Sequence, residues 1–346
     1  MRMRSLPFIF RGAPDSLLEV AVFLTLEMTE RHVERVHGYT INELEHVLLD
    51  VCEIFDDTIS LEHNTLGGWS NINIRGQSNN LDFVLKLPCS ISPHDVNLYN
   101  QLFDISLHFN ELGIAARPLA KGQLSDTNAI PFIIFEYIDG IIHDSLTDFS
   151  DHETSLLKDC LDLIIRQKIP HLKRYKSPSD HVTSWYSLVE NHVGLADVSQ
   201  EVGTLIDKMK KVYPDVLSFV DSLGVWTPTL MHGDLWIPNI VFQTGNVILL
   251  DFEDSAYGNH LYDLAFLLET PNAVSEKTPP GIVRSDEMEE VNDLRVVAVS
   301  YIVNWSLDRL LSMESGLIEP NLSSEESRSA IIDYTRGKIT RLKEMF

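Results

Sequence analysis

Basic residues are scarce in this chain, and cysteines scarcer. Twenty-seven Lys and Arg stand against 51 Asp and Glu, a formal net charge of -24 over 346 residues, with no long basic run. Nucleic acid is bound by clustered Lys and Arg that neutralise phosphates, so the composition argues against a nucleic-acid partner. It argues against an anionic membrane surface for the same reason. Cys52, Cys89 and Cys160 are an odd set with no CxxC spacing, which argues against a disulfide framework and a zinc site and points to a reducing, cytoplasmic compartment. Long apolar runs are missing too. The longest, Leu17 to Met28, has 12 residues and contains Glu19 and Glu27, too short to span a bilayer. The opening MRMRSLPFIF is basic, but its apolar stretch is too short for a signal peptide and no small-residue cleavage site follows. Without an internal repeat or a low-complexity tract, a solenoid is disfavoured.

What remains is an ordinary globular composition, 44% hydrophobic and 23% charged, long enough for two domains or one bilobal unit. Its acidity either steers cationic small molecules or serves solubility alone. Residues 15–55 carry apolar residues at helical spacing and predict a helical N-terminal extension over 1–55. From Ser60 the texture changes, and two antiparallel strands are expected around a turn at Gly76 to Asn80. Ser92, Pro93 and His94 open a helix that ends near Gly113; Arg117 to Gly122 lead into a second turn, and Ile130 to Tyr137 read as an apolar strand stopping at Asp139 and Gly140. The remainder reads as amphipathic helices broken at Pro170, Pro178 and Pro214, with further helices over 285–313 and 324–345. This predicts an α+β chain: a small β-rich N-lobe at 56–138 and a larger, mainly helical C-lobe at 139–346.

Between the helical blocks lies MHGDLWIPNIVFQTGNVILLDFE. If Ile240 to Phe242 and Val247 to Leu250 form a hairpin turning at Gly245, Asn239 and Asp251 meet at its open end, with Asp234 on the loop leading in. Two carboxylates and an amide oxygen there suit Mg²⁺, which is usually held by one or two carboxylates plus substrate phosphates. The order Asp, four residues, Asn, then Asp also matches the parts of kinase-type phosphoryl transfer. Asp234 would accept the proton of a substrate hydroxyl, while Asn239 and Asp251 would hold metal. Upstream, Gly67 and Gly68 permit close backbone approach to phosphates, with Ser70 and Asn71 as donors. Lys86, on the strand beyond, is the candidate phosphate lysine.

HGDLWIPN, DFE and the Asp263 of YDLAFLLE together resemble the aminoglycoside phosphotransferase, choline/ethanolamine kinase and homoserine kinase superfamily. The resemblance covers residues 60–270 and implies a bilobal protein-kinase-like fold that phosphorylates small-molecule hydroxyls with ATP. It implies that His232 and Asp263 brace the catalytic loop, and that Glu136, Tyr137 and Ile138 form a hinge against adenine. LGGWSN is similar to the GGxxN loop of choline-kinase-like members, which tilts the expected acceptor toward a cationic amino alcohol. Aminoglycosides, sugars and homoserine stay open, as does a nucleotide-binding protein without transfer activity. Glu253, Asp254, Trp236 and Trp305 are the expected substrate contacts, with Trp185 a further ring face. The family pairs its lysine with a helix Glu; here the following helix has none before Glu111, leaving Asp95 or Asp104 as substitutes.

Overall fold

The structure is a computed structural model; it describes residues 32–55, 58–68, 70–90, 95–124, 130–194, 198–269, 281–319 and 322–346. Most of the expected helical extension, residues 1–31, lies outside them. Residues 35–40 are not helical: β1 (Arg35–Val36) and β2 (Tyr39–Thr40) form a small hairpin about His37 and Gly38. Both turn residues hold positive φ, which a short hairpin with right-handed twist demands. Thr40 then caps α1 (Ile41–Val51), sharing reciprocal bonds with Glu43 in a capping box. The helix buries Ile41, Leu44 and Leu48 against the first strand of the sheet that follows.

That sheet has five antiparallel strands in the order β3-β4-β5-β7-β6. They are β3 (Ile59–Thr65), β4 (Asn71–Ser78), β5 (Leu81–Pro88), β6 (Pro118–Gln123) and β7 (Pro131–Glu136). The two strands expected from the sequence are β4 and β5, paired from Asn71↔Pro88 to Ser78↔Leu81. Their turn is tighter than expected, at Asn79 and Asn80, and Gly76 lies within β4, where a Cβ would come to 2.3 Å of the Phe83 ring. The two unforeseen strands are the sheet edges. Each carries a register irregularity, and β6, the stretch expected only to lead into a turn, contains Pro118 and Gly122, residues that edges tolerate. Helix α2 (Asp95–Glu111) packs across β6 and β7.

The C-lobe holds α3 (Asp151–Ile165), α4 (Pro178–Val193) and α5 (Gln200–Ser222). After them come α6 (Leu261–Leu267), α7 (Met288–Glu314) and α8 (Glu325–Glu344). Pro178 starts α4 as expected, but α5 runs through Pro214. Val212, Val216 and Val220 are all buried on that helix. Their packing offsets the roughly 3 kcal/mol that an interior proline costs. Helix α7 is buried along nearly its whole length, as expected of a central helix with apolar residues on every side. It is pinned at Glu269, which lies 2.6 Å from Arg295, 3.0 Å from Arg341 and 3.8 Å from Lys338. Near its other end Arg309 donates to the Cys89 thiol at 2.7 Å, joining the C-lobe to the end of β5. Among the described residues no helix is long and apolar enough to cross a membrane.

Candidate active site

Strand β8 (Thr229–Met231) pairs with β11 (Ala256–Gly258), and the β9 (Ile240–Gln243)–β10 (Asn246–Leu249) hairpin lies between them in sequence. The hairpin turns at Thr244 and Gly245, so Asn239 and Asp251 emerge at one end. The Leu250 N–H donates to the Asn239 carbonyl at 2.9 Å, closing that end. The loop from β8 is held from below by Asp263, whose two oxygens accept the N–H groups of His232 and Gly233 at 2.8 and 2.9 Å.

Each residue of the HGD triplet has a local reason. His232 is fully buried, and burial pushes its imidazole down to about 4. Being neutral, it accepts the Asp234 N–H at Nδ1 (3.3 Å) and donates from Nε2 to the Leu250 carbonyl (2.9 Å), which fixes its tautomer. Gly233 has φ of 90°, and a Cβ there would lie 2.1 Å from the Asp254 carbonyl oxygen. No other residue fits without moving one loop off the other. Asp234 receives both hydrogen bonds of the Asn239 Nδ2, on its carbonyl at 3.0 Å and its carboxylate at 3.1 Å.

Asp251 adopts a left-handed backbone, φ 62° and ψ 69°, before the 3₁₀ turn Phe252–Asp254. A non-glycine residue there is strained by about 1 kcal/mol or more. The strain is held in place by Phe252, stacked on Phe109 of α2 at 4.5 Å and 4.6 Å from the His232 ring. Successive residues of a 3₁₀ turn point about 120° apart, and this separates two neighbouring carboxylates. Glu253 faces the N-lobe, 3.5 Å from Lys86 and accepting the Asn71 Nδ2 at 2.9 Å. Asp254 faces the C-lobe and accepts the Tyr301 hydroxyl at 2.8 Å. Glu253 and Asp254, both expected as substrate contacts, therefore face opposite lobes.

Lys86 is buried and donates to Asp251 at 2.5 Å. Burial works against its ammonium, yet Asp251 and Glu253 more than offset it and raise its pKa. The carboxylates show the converse. Burial, then the charges of Asp254, Asp251 and Glu253, raise Asp234 well above the usual range, with Asn239 opposing. Burial also lifts Asp254 to about 6 and Asp263 to about 7, the latter against its two backbone bonds.

Around Asp254 lies an aromatic wall. Trp185 meets Tyr301 edge-on at 4.6 Å, and His181 lies 4.3 Å from Tyr175 and 4.9 Å from Tyr262. At its rim the Lys173 ammonium sits 4.6 Å above the Tyr175 ring and 6.0 Å from Trp185. The sequence reading missed Lys173, Tyr175 and Tyr301. The only signal for the last is one aromatic in an aliphatic stretch of α7. Trp236 is half-buried between Asp234 and Asn239, and Trp305 lies one turn beyond Tyr301, half-buried against the core.

On the other side, Gly67 and Gly68 take φ of 90° and 114° in the bend from β3 to β4. Asn73 Nδ2 donates to the Gly67 carbonyl, and Ser70 accepts the Cys89 N–H through its own carbonyl. Asn71 stands apart from that loop: its side chain is buried, bonded to Glu253 and to the Tyr99 hydroxyl at 2.8 Å. Glu136 is exposed at the end of β7 and Ile138 is half-buried beyond it.

The sequence pattern of the phosphotransferase enzyme family matches residues 64–295, about two thirds of the chain. No curated protein matches it significantly by sequence. Among solved structures it is similar to the spectinomycin phosphotransferase APH(9)-Ia in complex with ADP and spectinomycin, TM-score 0.58 at 13% identity, covering 89% of this chain and 100% of that one. It is similar to an ethanolamine kinase from Plasmodium vivax, TM-score 0.55 at 17% identity over 83% of each chain. A choline/ethanolamine kinase family protein from Mesorhizobium loti follows at 0.52 and 14%, over 82% of this chain and 87% of that one. At these identities the likeness concerns the fold, which is bilobal and protein-kinase-like. With two thirds of its length matched, the chain belongs to the phosphotransferase enzyme family.

Proposed function

We propose that the protein is an ATP- and Mg²⁺-dependent kinase of a small-molecule hydroxyl, acting in the cytoplasm, with an amino alcohol such as choline or ethanolamine as first candidate acceptor. The observation that carries the reading is the meeting of Asp234, Asn239 and Asp251 at one hairpin end, with Lys86 on Asp251.

Asp234 takes the proton of the acceptor hydroxyl as its oxygen attacks the γ-phosphorus and the bond to the β–γ bridging oxygen breaks, releasing ADP. Its raised proton affinity suits a base, and Asn239 holds the carboxylate in position. His232 and Asp263 keep the loop fixed from behind. Lys86, with backbone and Ser70 donors of the Gly67–Gly68 bend, positions the phosphates, and the hinge at Glu136, Tyr137 and Ile138 meets adenine.

The donor set fits Mg²⁺. Asn239 turns its Nδ2 to Asp234, which points its amide oxygen the other way, and Asp251 has one oxygen beyond that held by Lys86. Two hard oxygen donors, Asn239 and Asp251, would hold the ion with phosphate oxygens completing its shell. Among the described residues no group of three or more His, Cys, Asp or Glu forms a ready metal site, in keeping with a metal that arrives with nucleotide. When bound, Mg²⁺ neutralises phosphate charge.

The preference for a cationic acceptor rests on Lys173. Its own ammonium already uses the ring faces of Tyr175 and Trp185 beside Asp254, so that surface accepts a cation. Aminoglycosides, sugars and homoserine are the alternative acceptors. Purified protein with Mg²⁺ and ATP, assayed against a panel of these and of amino alcohols, is expected to transfer phosphate most efficiently to an amino alcohol. Transfer to none, with ATP still raising the melting temperature, would make it a nucleotide-binding protein instead.

A further inference from the structure

Helix α2 carries no glutamate that could steady Lys86. Asp104 is turned to Lys121 on β6 at 3.2 Å, Glu111 is exposed at the helix end, and the side chain of Asp95 lies outside the described residues. What α2 does send toward the lysine is Tyr99, buried, whose hydroxyl donates to the Asn71 Oδ1 at 2.8 Å. Asn71, also buried, donates from Nδ2 to Glu253 at 2.9 Å, and Glu253 lies 3.5 Å from Lys86. Beside the Lys86 ammonium the ionised form of Glu253 only accepts, and in that form the amide offers nitrogen to it and oxygen to Tyr99, which donates.

We propose that Tyr99 and Asn71 are positioning residues that hold Glu253 against Lys86, so that the carboxylate usually supplied by the helix after the lysine strand comes here from the DFE turn. This rests on the kinase reading above. Glu253 needs such a hold: Asp251 is two residues away and like-charged, and both compete for the one ammonium. Left to repulsion, Glu253 would swing outward and Lys86 would collapse onto Asp251 alone, away from the phosphates it must reach. A neutral amide anchored at its far end to a helix is a suitable restraint, because it binds the carboxylate without adding charge. The chain also makes the placement of Lys86 depend on the seating of α2. With both ends of its amide engaged, Asn71 acts through Glu253, and phosphate contacts fall to Ser70 and the glycine backbone.

The test measures Mg–ATP affinity by calorimetry on the full chain, with kinetics on the best acceptor. Tyr99→Phe, which removes one oxygen from a buried ring, is expected to weaken Mg–ATP binding about fivefold, the worth of one hydrogen bond, and to lower kcat while leaving the acceptor KM unchanged. Asn71→Asp, which puts a carboxylate against Glu253, is expected to weaken it more. In a Glu253→Ala background Tyr99→Phe should make no further difference, because the link it acts through is gone. Equal losses from Tyr99→Phe in both backgrounds, or a lowered melting temperature with unchanged Mg–ATP affinity, would overturn the proposal. Failure of the unmutated protein to bind Mg–ATP would overturn the kinase reading and this one with it.

Discussion

The two sides of the cleft are built from different materials, although they meet at neighbouring residues. On the side proposed for the nucleotide, charges neutralise one another at close range: Lys86, Asp251 and Glu253, with Asn71 and Tyr99 behind them. On the side proposed for the acceptor, Asp254 accepts a tyrosine hydroxyl beside aromatic rings, with Lys173 at the rim. The first arrangement suits a ligand that brings its own counter-ions and displaces a lysine from its resting partner. The second suits a less charged molecule that must be oriented by shape. One 3₁₀ turn divides them, sending Glu253 one way and Asp254 the other.

If the division is functional, mutations on each side should break different steps. The largest effect is expected from Asp234→Asn: a loss of kcat of about a thousandfold, in the range of a removed general base, with Mg–ATP affinity nearly unchanged. Retained turnover would remove Asp234 from that role. Asp251→Asn acts on the other side, weakening metal-dependent nucleotide binding by about 10- to 100-fold, read as the difference in ATP affinity with and without Mg²⁺. Lys173→Met sharpens the acceptor side. Freeing the ring faces should lower KM for a cationic acceptor by about three- to fivefold; a raised KM would mean that the lysine recruits an anionic group on the acceptor.

The smallest effect is one of stability. Burial, with the Lys173 charge nearby, pushes His181 down to about 3 from its ordinary 6.5. Between those values the unfolded chain takes up a proton that the folded one refuses, so stability falls as pH falls. The melting temperature of His181→Leu should accordingly decline less steeply below pH 6.5 than that of the unmutated protein. Parallel curves would show that the imidazole is protonated in the fold.

Much of the hairpin end was legible in the sequence because backbone geometry dictates it. Gly233, Asp234, Asn239 and Asp251 sit around a hairpin whose period-two pattern and Gly245 turn are local signals, and the fold brings them together at one end. What was not legible depends on side-chain direction or on distant elements. The opposite facing of Glu253 and Asp254 comes from a one-turn helix too short to leave a periodicity. Tyr301, Tyr175 and Lys173 converge from α7 and from the segment before α4, far apart in sequence. The edge strands β3 and β6 escaped because edges tolerate Pro, Gly and bulges that central strands do not.

Helix α7 is 27 residues long, roughly 40 Å at 1.5 Å per residue. Along that span it carries Arg295 at the Glu269 cluster, Tyr301 at Asp254, and Arg309 beneath Cys89, three residues past Lys86. It is an axle as much as a wall. A rod gripped at both ends and packed along most of its length cannot slide by a fraction of a turn without moving Asp254 and the root of the Lys86 strand together, so that, on the proposed function, the two substrates are set to a common ruler.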